Sequence, residues 1–351
     1  MMHRRMLLLG ALASAPLARP ALAQAPATFV RCVWGGGGSL VWRESFIPDF
    51  TAATGIPVRI AEVPNPAGAL RSPVANTQYD LALVTYFEAI ELSRAGLIDT
   101  FAPSELPGLQ AVDPNYHPRT RDGRIAGMPI YFTVYGIAFN TALAKAEDFA
   151  SWKNLADPRW RQKIAITRPV YAASYDLVIM SRAMGGDVRN VAPGMELLRR
   201  VAENSLTTYS SLAHMNSLLT RAEVAAVPYY GSRVWSLRRQ GANDIDIVLP
   251  DEGVLMLPYV VVAPKGSRNR EGALRWLNHI AGASGQAKAA AMDGWLPMNR
   301  SVELPPEVER VTRMPLSAIR AKLYAPDWNV VVEHQEARMD EIERMMAGLR
   351  R

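Results

Sequence analysis

Cysteine is the scarcest residue of this 351-residue chain, which contains a single one, Cys32. One cysteine cannot close an intramolecular disulfide, so a large apolar core must stabilise the fold. The length supports two lobes rather than one. Histidine is also rare, with five residues scattered along the sequence at positions 3, 117, 214, 279 and 334. Histidines spread in this way do not predict a metal site, and we expect none.

The chain also lacks the short motifs of common enzymes. It contains no G-x-S-x-G, no H-E-x-x-H and no Walker loop, and the run GGGGS at residues 35–39 does not match G-x-G-x-x-G. We therefore expect a protein that is not an enzyme and that binds no cofactor.

Long apolar runs are missing after the first 23 residues, so nothing later predicts a membrane span. Residues 1–23 combine Arg4 and Arg5 with the run MLLLGALASA and end in Ala-Leu-Ala. This pattern predicts a cleavable signal peptide and an exported protein. The arginine pair leaves ordinary export and twin-arginine export both open.

Charge of one sign is not in large excess. The chain has 39 Lys and Arg against 33 Asp and Glu, a formal net charge of +6, and three of the arginines leave with residues 1–23. The remaining basic residues are scattered and form no stripe with interleaved aromatics, so we expect no nucleic-acid partner.

Residues 29–60 are the most informative stretch and read FVRCVW, GGGGS, LVWRESFIPDFTAATG and IPVRI. The pattern predicts strand, glycine loop, helix and strand, with the helix capped by Gly55. Pro48 lies inside the helical pattern and indicates a kink or a late helix start. The loop leaves N–H groups free at a helix N-terminus, which favours an anionic ligand. A tight turn without a ligand is the alternative.

Strands and helices alternate along the chain, so the predicted class is α/β. Two β-prone runs, residues 125–140 and 254–263, are long enough to cross between two lobes. A ligand cleft is then expected between the lobes. The predicted divisions are the signal peptide (1–23), lobe 1 (28–133), lobe 2 (134–257), the return segment of lobe 1 (258–315) and C-terminal helices packing on lobe 2 (316–351).

Seven stretches between about residue 29 and residue 300 carry a family resemblance. They read VWGGGGS…FTAATGIPV, YDLALVTYFEAIELSRAGLID, IAGMPIYFTVYGIAFNT, SWKNLADPRWRQKIAI, EVAAVPYYGSRVWSLRRQGA, DEGVLMLPYVVVAPKGSRN and AMDGWLPMNR. In this order they resemble the periplasmic substrate-binding proteins of ABC importers, in the group of polyamine, ferric-iron and thiamine binders. The resemblance implies a type II two-lobe fold with two hinge crossings, a periplasmic location and a monomer that closes on a ligand and delivers it to an inner-membrane permease.

The resemblance also implies which residues line the cleft. They are Trp34, Gly36, Gly37, Gly38, Ser39, Thr85 and Tyr86 in the first lobe, Tyr131, Thr133 and Tyr135 by the first crossing, Arg168, Ser174, Tyr230 and Arg233 in the second lobe, and Tyr259 at the return crossing. Trp34 and Tyr131 have the alternative of packing as core aromatics, and Arg233 that of pairing with a carboxylate.

The ligand prediction rests on departures from the polyamine pattern. Polyamine binders place acids after the strand that here precedes Arg168 and in the return crossing, where this chain has Leu257 and Tyr259. A guanidinium suits an anion, so we favour an organic anion such as a carboxylate or a phosphonate. A polyamine binder and a ferric-iron binder using Tyr229 and Tyr230 are the alternatives. A periplasmic enzyme on the same fold is a remote one.

Overall fold

The computed structural model describes residues 29–34, 38–209 and 211–349. For residues 29–34 and 38 the description is limited to the backbone. The predicted signal peptide, Gly36 and Gly37 lie outside the described residues. In the described part of the chain, none of the helices combines the length and the apolar character needed to cross a membrane.

The described residues contain eleven strands and fifteen α-helices, which confirms the α/β class. The strands are β1 (Phe29–Trp34), β2 (Val58–Val63), β3 (Leu81–Thr85), β4 (Met128–Asn140), β5 (Ile164–Ile166), β6 (Ser205–Thr208), β7 (Ala226–Tyr230), β8 (Ile245–Val248), β9 (Val254–Val262), β10 (Leu296–Pro297) and β11 (Leu323–Tyr324). The helices are α1 (Gly38–Ser45), α2 (Ile47–Thr54), α3 (Pro66–Leu70), α4 (Ala75–Gln78), α5 (Tyr86–Arg94), α6 (Pro169–Tyr171), α7 (Leu177–Ala183), α8 (Ala192–Asn204), α9 (Leu212–Thr220), α10 (Gly231–Arg239), α11 (Arg270–Ile280), α12 (Ala283–Asp293), α13 (Pro306–Thr312), α14 (Leu316–Ala321) and α15 (Trp328–Leu349). One π-helical turn, Ala172–Asp176, joins α6 to α7.

The strands form one continuous mixed sheet with the order β2-β1-β3-β9-β4-β7-β5-β6. β1 pairs in parallel with β2 and β3, and β5 pairs in parallel with β6 and β7. Helical crossovers are what parallel pairing requires. The central strands β4 and β9 are antiparallel to each other. The short strands β8 and β10 pair with β4, and β11 pairs with β9.

β4 and β9 connect the two groups of parallel strands. Along β4, residues 128–135 pair with β9, whereas residues 135–140 pair with β7 and β8. Along β9, residues 259–262 pair with β3. β9 is therefore bonded to the first group and β4 to the second, and the pairing between β4 and β9 joins the two groups. We use "first lobe" for the part built on β1–β3 and "second lobe" for the part built on β5–β8.

The predicted first helix is two helices. Pro48 lies in the first turn of α2, and Phe46 before it has a non-helical φ of −120° and ψ of −39°, so the chain breaks between α1 and α2. A proline suits a first turn because the N–H that it lacks would be unpaired there. Gly55 caps α2 in the left-handed conformation, with a φ of 69°, as the sequence predicted.

Buried apolar side chains form two clusters. The smaller one lies within the first lobe, around Trp42 and Trp276. The larger one begins on the other face of the first lobe at Ile90 of α5, continues through β4 to Trp152, and reaches Ile342 of α15. This continuous burial provides the stabilisation that disulfides provide in other exported proteins.

The last helix packs on both lobes, whereas the C-terminal helices were predicted to pack on the second alone. α15 contacts α5 in the first lobe, and α6, the π turn and α8 in the second. At its start the ring of Trp328 lies 6.2 Å from that of Tyr86 and 6.2 Å from that of Tyr175, measured between centroids. The prediction was incomplete because an amphipathic pattern shows which face of a helix is buried but not which surface covers it.

Candidate ligand-binding site

The carboxyl ends of the parallel strands in the second lobe lie at one edge of the sheet, where α/β proteins bind ligands. β5 and β6 end just before Thr167 and Tyr209, and β7 ends at Tyr230. Tyr230 pairs with Tyr135 of β4, the strand that enters the second lobe from the first. This edge therefore faces the junction of the lobes.

Three predicted site residues form one row across three adjacent strands. Thr85 of β3 pairs with Tyr259 of β9, and Tyr259 pairs with Tyr131 of β4. The two tyrosine rings stack with centroids 4.6 Å apart at 15°, and both are partly exposed. Burial raises the pKa of Tyr259 to about 12, so its hydroxyl stays protonated. The stacked rings offer a flat aromatic surface to a ligand.

Trp295 extends this row and was not predicted. Its ring stacks on Tyr131 with centroids 3.7 Å apart at 22° and lies 5.8 Å from Trp42. The stretch AMDGWLP carried the family resemblance, but no local pattern shows that β10 brings its tryptophan beside β4.

Thr85 caps α5. Its hydroxyl accepts a hydrogen bond from Glu88 N at 3.2 Å, and Glu88 Oε2 accepts from Thr85 N and from Thr85 Oγ1, both at 2.9 Å. Desolvation raises the pKa of the half-buried Glu88 carboxyl. The spacing Thr-x-x-Glu is a capping-box signal that can be read from sequence, so the role of Thr85 at the helix start was detectable.

Replacing Thr85 with alanine is expected to destabilise the protein by about 1 kcal/mol, because the N-cap hydrogen bond is lost. Chemical denaturation measures this change. Thr85→Ser keeps the oxygen and should retain most of the stability, so equal losses in the two variants would argue against the capping role.

Tyr86 is held inside the first lobe. Its hydroxyl donates to His117 O at 2.6 Å, and burial raises its pKa. The ring lies against Trp328 of α15. The structure thus places this predicted residue in the contact with the last helix.

Four tyrosines of the second lobe, which we call the tyrosine cluster, lie close together: Tyr135, Tyr171, Tyr175 and Tyr230. The ring centroid of Tyr135 is 5.3 Å from that of Tyr230 and 5.4 Å from that of Tyr175, and Tyr171 stacks on Tyr175 at 6.0 Å. Burial raises the pKa of Tyr135, Tyr175 and Tyr230, so these phenols are neutral. Tyr171 and Tyr175 were not predicted, although their four-residue spacing is typical of one helix face.

Asp176 is an acid that the sequence analysis missed. It ends the π turn, is fully buried, and accepts a hydrogen bond from Tyr135 OH at 2.6 Å through Oδ1. Burial raises its pKa to about 7, and the bond from Tyr135 opposes part of that rise. The acids of polyamine binders are missing at the positions compared in the sequence, and Asp176 lies at another position, eight residues after Arg168.

The raised pKa of Asp176 predicts a pH-dependent stability. Between about pH 4, where a free aspartate titrates, and about pH 7, the folded protein keeps a proton that the unfolded chain has lost. The contribution of Asp176 to stability therefore falls as the pH rises through this window. Thermal unfolding at pH 5.0 and pH 7.5 should show Asp176→Asn gaining stability relative to the parent at the higher pH. If the difference in melting temperature between Asp176→Asn and the parent were the same at pH 5.0 and pH 7.5, the raised pKa of Asp176 would be contradicted.

Tyr229 and Tyr230 point to different surroundings. Tyr229 is fully buried, and its hydroxyl lies 2.8 Å from Asn216 Oδ1 and 3.3 Å from Leu212 O. Burial raises the pKa of both phenols, which opposes the phenolate form that binds iron. Among the described residues there is no group of three His, Cys, Asp or Glu that could complete a metal site.

Arg233 lies in the first turn of α10, directly after Ser232. Ser232 N donates to Thr133 Oγ1 at 3.0 Å, so the buried Thr133 fixes the start of this helix. The charge of Arg233 acts on the pKa of both Tyr229 and Tyr259. Within the described residues Arg233 forms no ion pair with a carboxylate.

Arg168 and Ser174 flank the start of the second-lobe helix. Arg168 is exposed, and its guanidinium lies 5.2 Å from the ring centroid of Tyr171. Ser174 is buried, with its hydroxyl 2.9 Å from Gln335 Oε1 of α15 and 3.1 Å from Val170 O. Arg168 is therefore accessible to a ligand, whereas Ser174 contributes to the attachment of α15.

The glycine loop is described only at its two ends. Trp34 pairs with Val63 at the end of β1, and Gly38 begins α1, with the partly exposed Ser39 next to it. The strand and the helix that the sequence predicted on either side of the loop are both present.

Comparison with known proteins gives a consistent result. The family model of bacterial extracellular solute-binding proteins matches residues 45–315. A spermidine/putrescine-binding periplasmic protein of Haemophilus influenzae is 25% identical over 281 residues, which cover 76% of this chain and 77% of that one. A protein of Salmonella paratyphi A assigned as a 2-aminoethylphosphonate-binding periplasmic protein is 23% identical over 308 residues, 84% of each chain.

Solved structures agree with this result. The crystal structure of an ABC transporter from Clostridium perfringens aligns with a TM-score of 0.74 at 21% identity, over 91% of this chain and 99% of that one. This likeness confirms the two-lobed fold of periplasmic binding proteins. Because the family model spans most of the described residues, the chain belongs to the bacterial extracellular solute-binding proteins.

Proposed function

We propose that this protein is the periplasmic substrate-binding component of an ABC importer, a monomer that captures a small organic solute and delivers it to a membrane permease. The observation that carries the proposal is the convergence of aromatic residues from both crossing strands and the second lobe. Tyr259 lies close enough to Tyr175 and Tyr230 to act on the pKa of both. Glu88 of the first lobe acts on Tyr175 and Tyr259.

Capture by closure follows from the strand connections. β4 and β9 join the lobes, so small changes in the backbone angles of these two strands alter the angle between the two lobes. A ligand that contacts both lobes binds the closed form more tightly and shifts the population towards it. The permease would then recognise the closed form.

The favoured ligand is an organic anion, such as a carboxylate or a phosphonate. Arg233 offers a guanidinium without a carboxylate partner among the described residues, next to the N-terminus of α10. A helix N-terminus favours negative charge, and a guanidinium binds a carboxylate or phosphonate through two parallel hydrogen bonds. Arg168 provides a second, exposed guanidinium.

A polyamine is the second candidate, and a specific observation supports it. The tyrosine cluster, Glu88 and Asp176 combine neutral aromatic rings with two buried or half-buried carboxyl groups. Aromatic faces and carboxylates are what ammonium groups bind. An amino-carboxylate or an aminophosphonate would use both kinds of group and still be an organic anion.

Native mass spectrometry of freshly purified protein, followed by a thermal-shift panel, tests the proposal. We expect a co-purified small molecule and a rise in melting temperature with organic acids or phosphonates, because a ligand at 100 times its Kd stabilises by about 2.7 kcal/mol. A response to polyamines alone would favour the second candidate. If no bound molecule were found and no compound of the panel, including Fe³⁺, changed the melting temperature, the proposed function would be contradicted.

Replacing Arg168 with alanine is expected to weaken binding of an anionic ligand by about 1.5 kcal/mol, the lower end for a charged hydrogen bond, because this side chain is exposed to water. Titration calorimetry measures the change. Arg161→Ala removes a charge from another exposed site of the second lobe and is the control. Unchanged affinity in Arg168→Ala would remove this residue from the site.

A further inference from the structure

Three buried oxygen atoms of the second lobe lack a hydrogen bond of good geometry among the described residues. They are Thr167 Oγ1, Asp176 Oδ2 and Tyr209 OH. The residues are 1%, 0% and 4% exposed, so bulk water does not replace the missing partners. Native proteins pair nearly all of their buried polar atoms, and three atoms without a well-formed hydrogen bond indicate an occupant that completes them.

The three atoms belong to one cluster. The Tyr209 hydroxyl interacts with the side chains of Thr167 and Tyr135 and lies near Asp176, and Tyr135 OH donates to the other oxygen of Asp176 at 2.6 Å. We call these four residues the polar floor. Its members come from separate parts of the chain, so their meeting is a product of the fold.

The polar floor lies at the ligand-binding edge of the second lobe. Thr167 and Tyr209 directly follow the adjacent parallel strands β5 and β6, and Tyr135 lies where β4 enters this lobe. Asp176 ends the π turn. A π turn is rare and occurs frequently at functional sites, which is a second, independent sign of a role in binding.

The chemistry of the floor selects its occupant. A carboxyl oxygen and two hydroxyl oxygens can all accept hydrogen bonds, and a primary ammonium group has three donors to give. The rings of Tyr175 and Tyr230 pack on Tyr135, with centroids 5.4 and 5.3 Å away, and supply aromatic faces that attract a cation. A water molecule also donates two hydrogen bonds, but it carries no charge and does not stabilise the ionised form of Asp176 as an ammonium group does.

We propose that the polar floor is the subsite for a primary ammonium group of the ligand, with Asp176 as its counter-ion. This inference rests on the proposed function and narrows the substrate class to amines, such as an amino-carboxylate or an aminophosphonate. The ammonium group enters past Tyr230, a partly exposed residue at the end of β7. The anionic end of the same molecule then lies towards Arg233.

The first test uses the ammonium group alone. Thermal unfolding at pH 7.5 is measured in methylammonium chloride and, at equal concentration, in tetramethylammonium chloride, which has no N–H donor. Methylammonium should raise the melting temperature of the parent and of Asp244→Asn, an exposed control, above the value in tetramethylammonium. Asp176→Asn should lose this difference. Tyr209→Phe removes one acceptor and should reduce it, which keeps the test decisive if Asp176→Asn does not fold.

The second test compares 2-aminoethylphosphonate with ethylphosphonate by calorimetry. The parent should bind the amine roughly tenfold or more tightly, and Asp176→Asn should abolish that preference. If the parent binds both phosphonates equally and methylammonium has no effect, the inference is wrong while the proposed function stands. If methylammonium acts through Asp176 but no small molecule of the wider panel binds, the subsite stands and the proposed function fails.

Discussion

Replacing Trp328 with alanine is expected to destabilise the protein by about 3–5 kcal/mol, the range for removing a buried tryptophan. Trp328 is 5% exposed at the start of α15. Its ring lies against Tyr86 and Phe87 of the first lobe and Tyr175 of the second. The substitution leaves a cavity between the lobes, so we expect the variant to sample open forms more often as well as to unfold at lower denaturant concentration.

Two further variants separate packing from surface charge. Trp328→Phe keeps an aromatic ring in the same place and should lose clearly less stability than Trp328→Ala. Glu333→Gln removes the ion pair between α15 and Arg121, whose side chains are 43% and 60% exposed, and should change stability little. If Trp328→Ala unfolded at the same denaturant concentration as the parent, α15 would not be a structural link between the lobes.

Replacing Arg233 with methionine is expected to weaken binding of an anionic ligand by up to about 3 kcal/mol, the upper end for a charged hydrogen bond. That corresponds to a roughly 150-fold rise in Kd. The effect should exceed that of Arg168→Ala because Arg233 is partly buried beside Tyr259, where water screens the charge less.

The control for Arg233→Met is Arg161→Met, which removes the same charge at an exposed position of the second lobe. Folding stability should be close to that of the parent in both, since within the described residues Arg233 forms no ion pair. Equal affinities of Arg233→Met and Arg161→Met for an anion would show that the anionic group binds elsewhere.

Local signals in the sequence predicted the local structure well. Pro48 indicated a late helix start and begins α2, and Gly55 ends that helix with positive φ as a left-handed cap does. The two long β-prone runs became β4 and β9, which pair with each other, while β9 also pairs with β3 of the first lobe and β4 with β7 and β8 of the second. These features depend on residues near each other in the chain, so a single sequence contains the information.

Contacts between distant residues were less predictable. Tyr135 was expected in the cleft. Its hydroxyl donates to Asp176, and a strand pattern contains no signal that these two residues lie side by side. Ser174 was expected to face a ligand, and instead it contacts Gln335 of the last helix. Such pairs are fixed by how helices pack on the sheet, which periodicity does not specify.

Small-angle X-ray scattering of one sample, with its co-purified ligand and after the ligand has been removed, tests the central claim that the two lobes close around a small solute. We expect a smaller radius of gyration in the liganded sample and a reversal when the ligand returns. The same radius of gyration and the same melting temperature in both samples would contradict it.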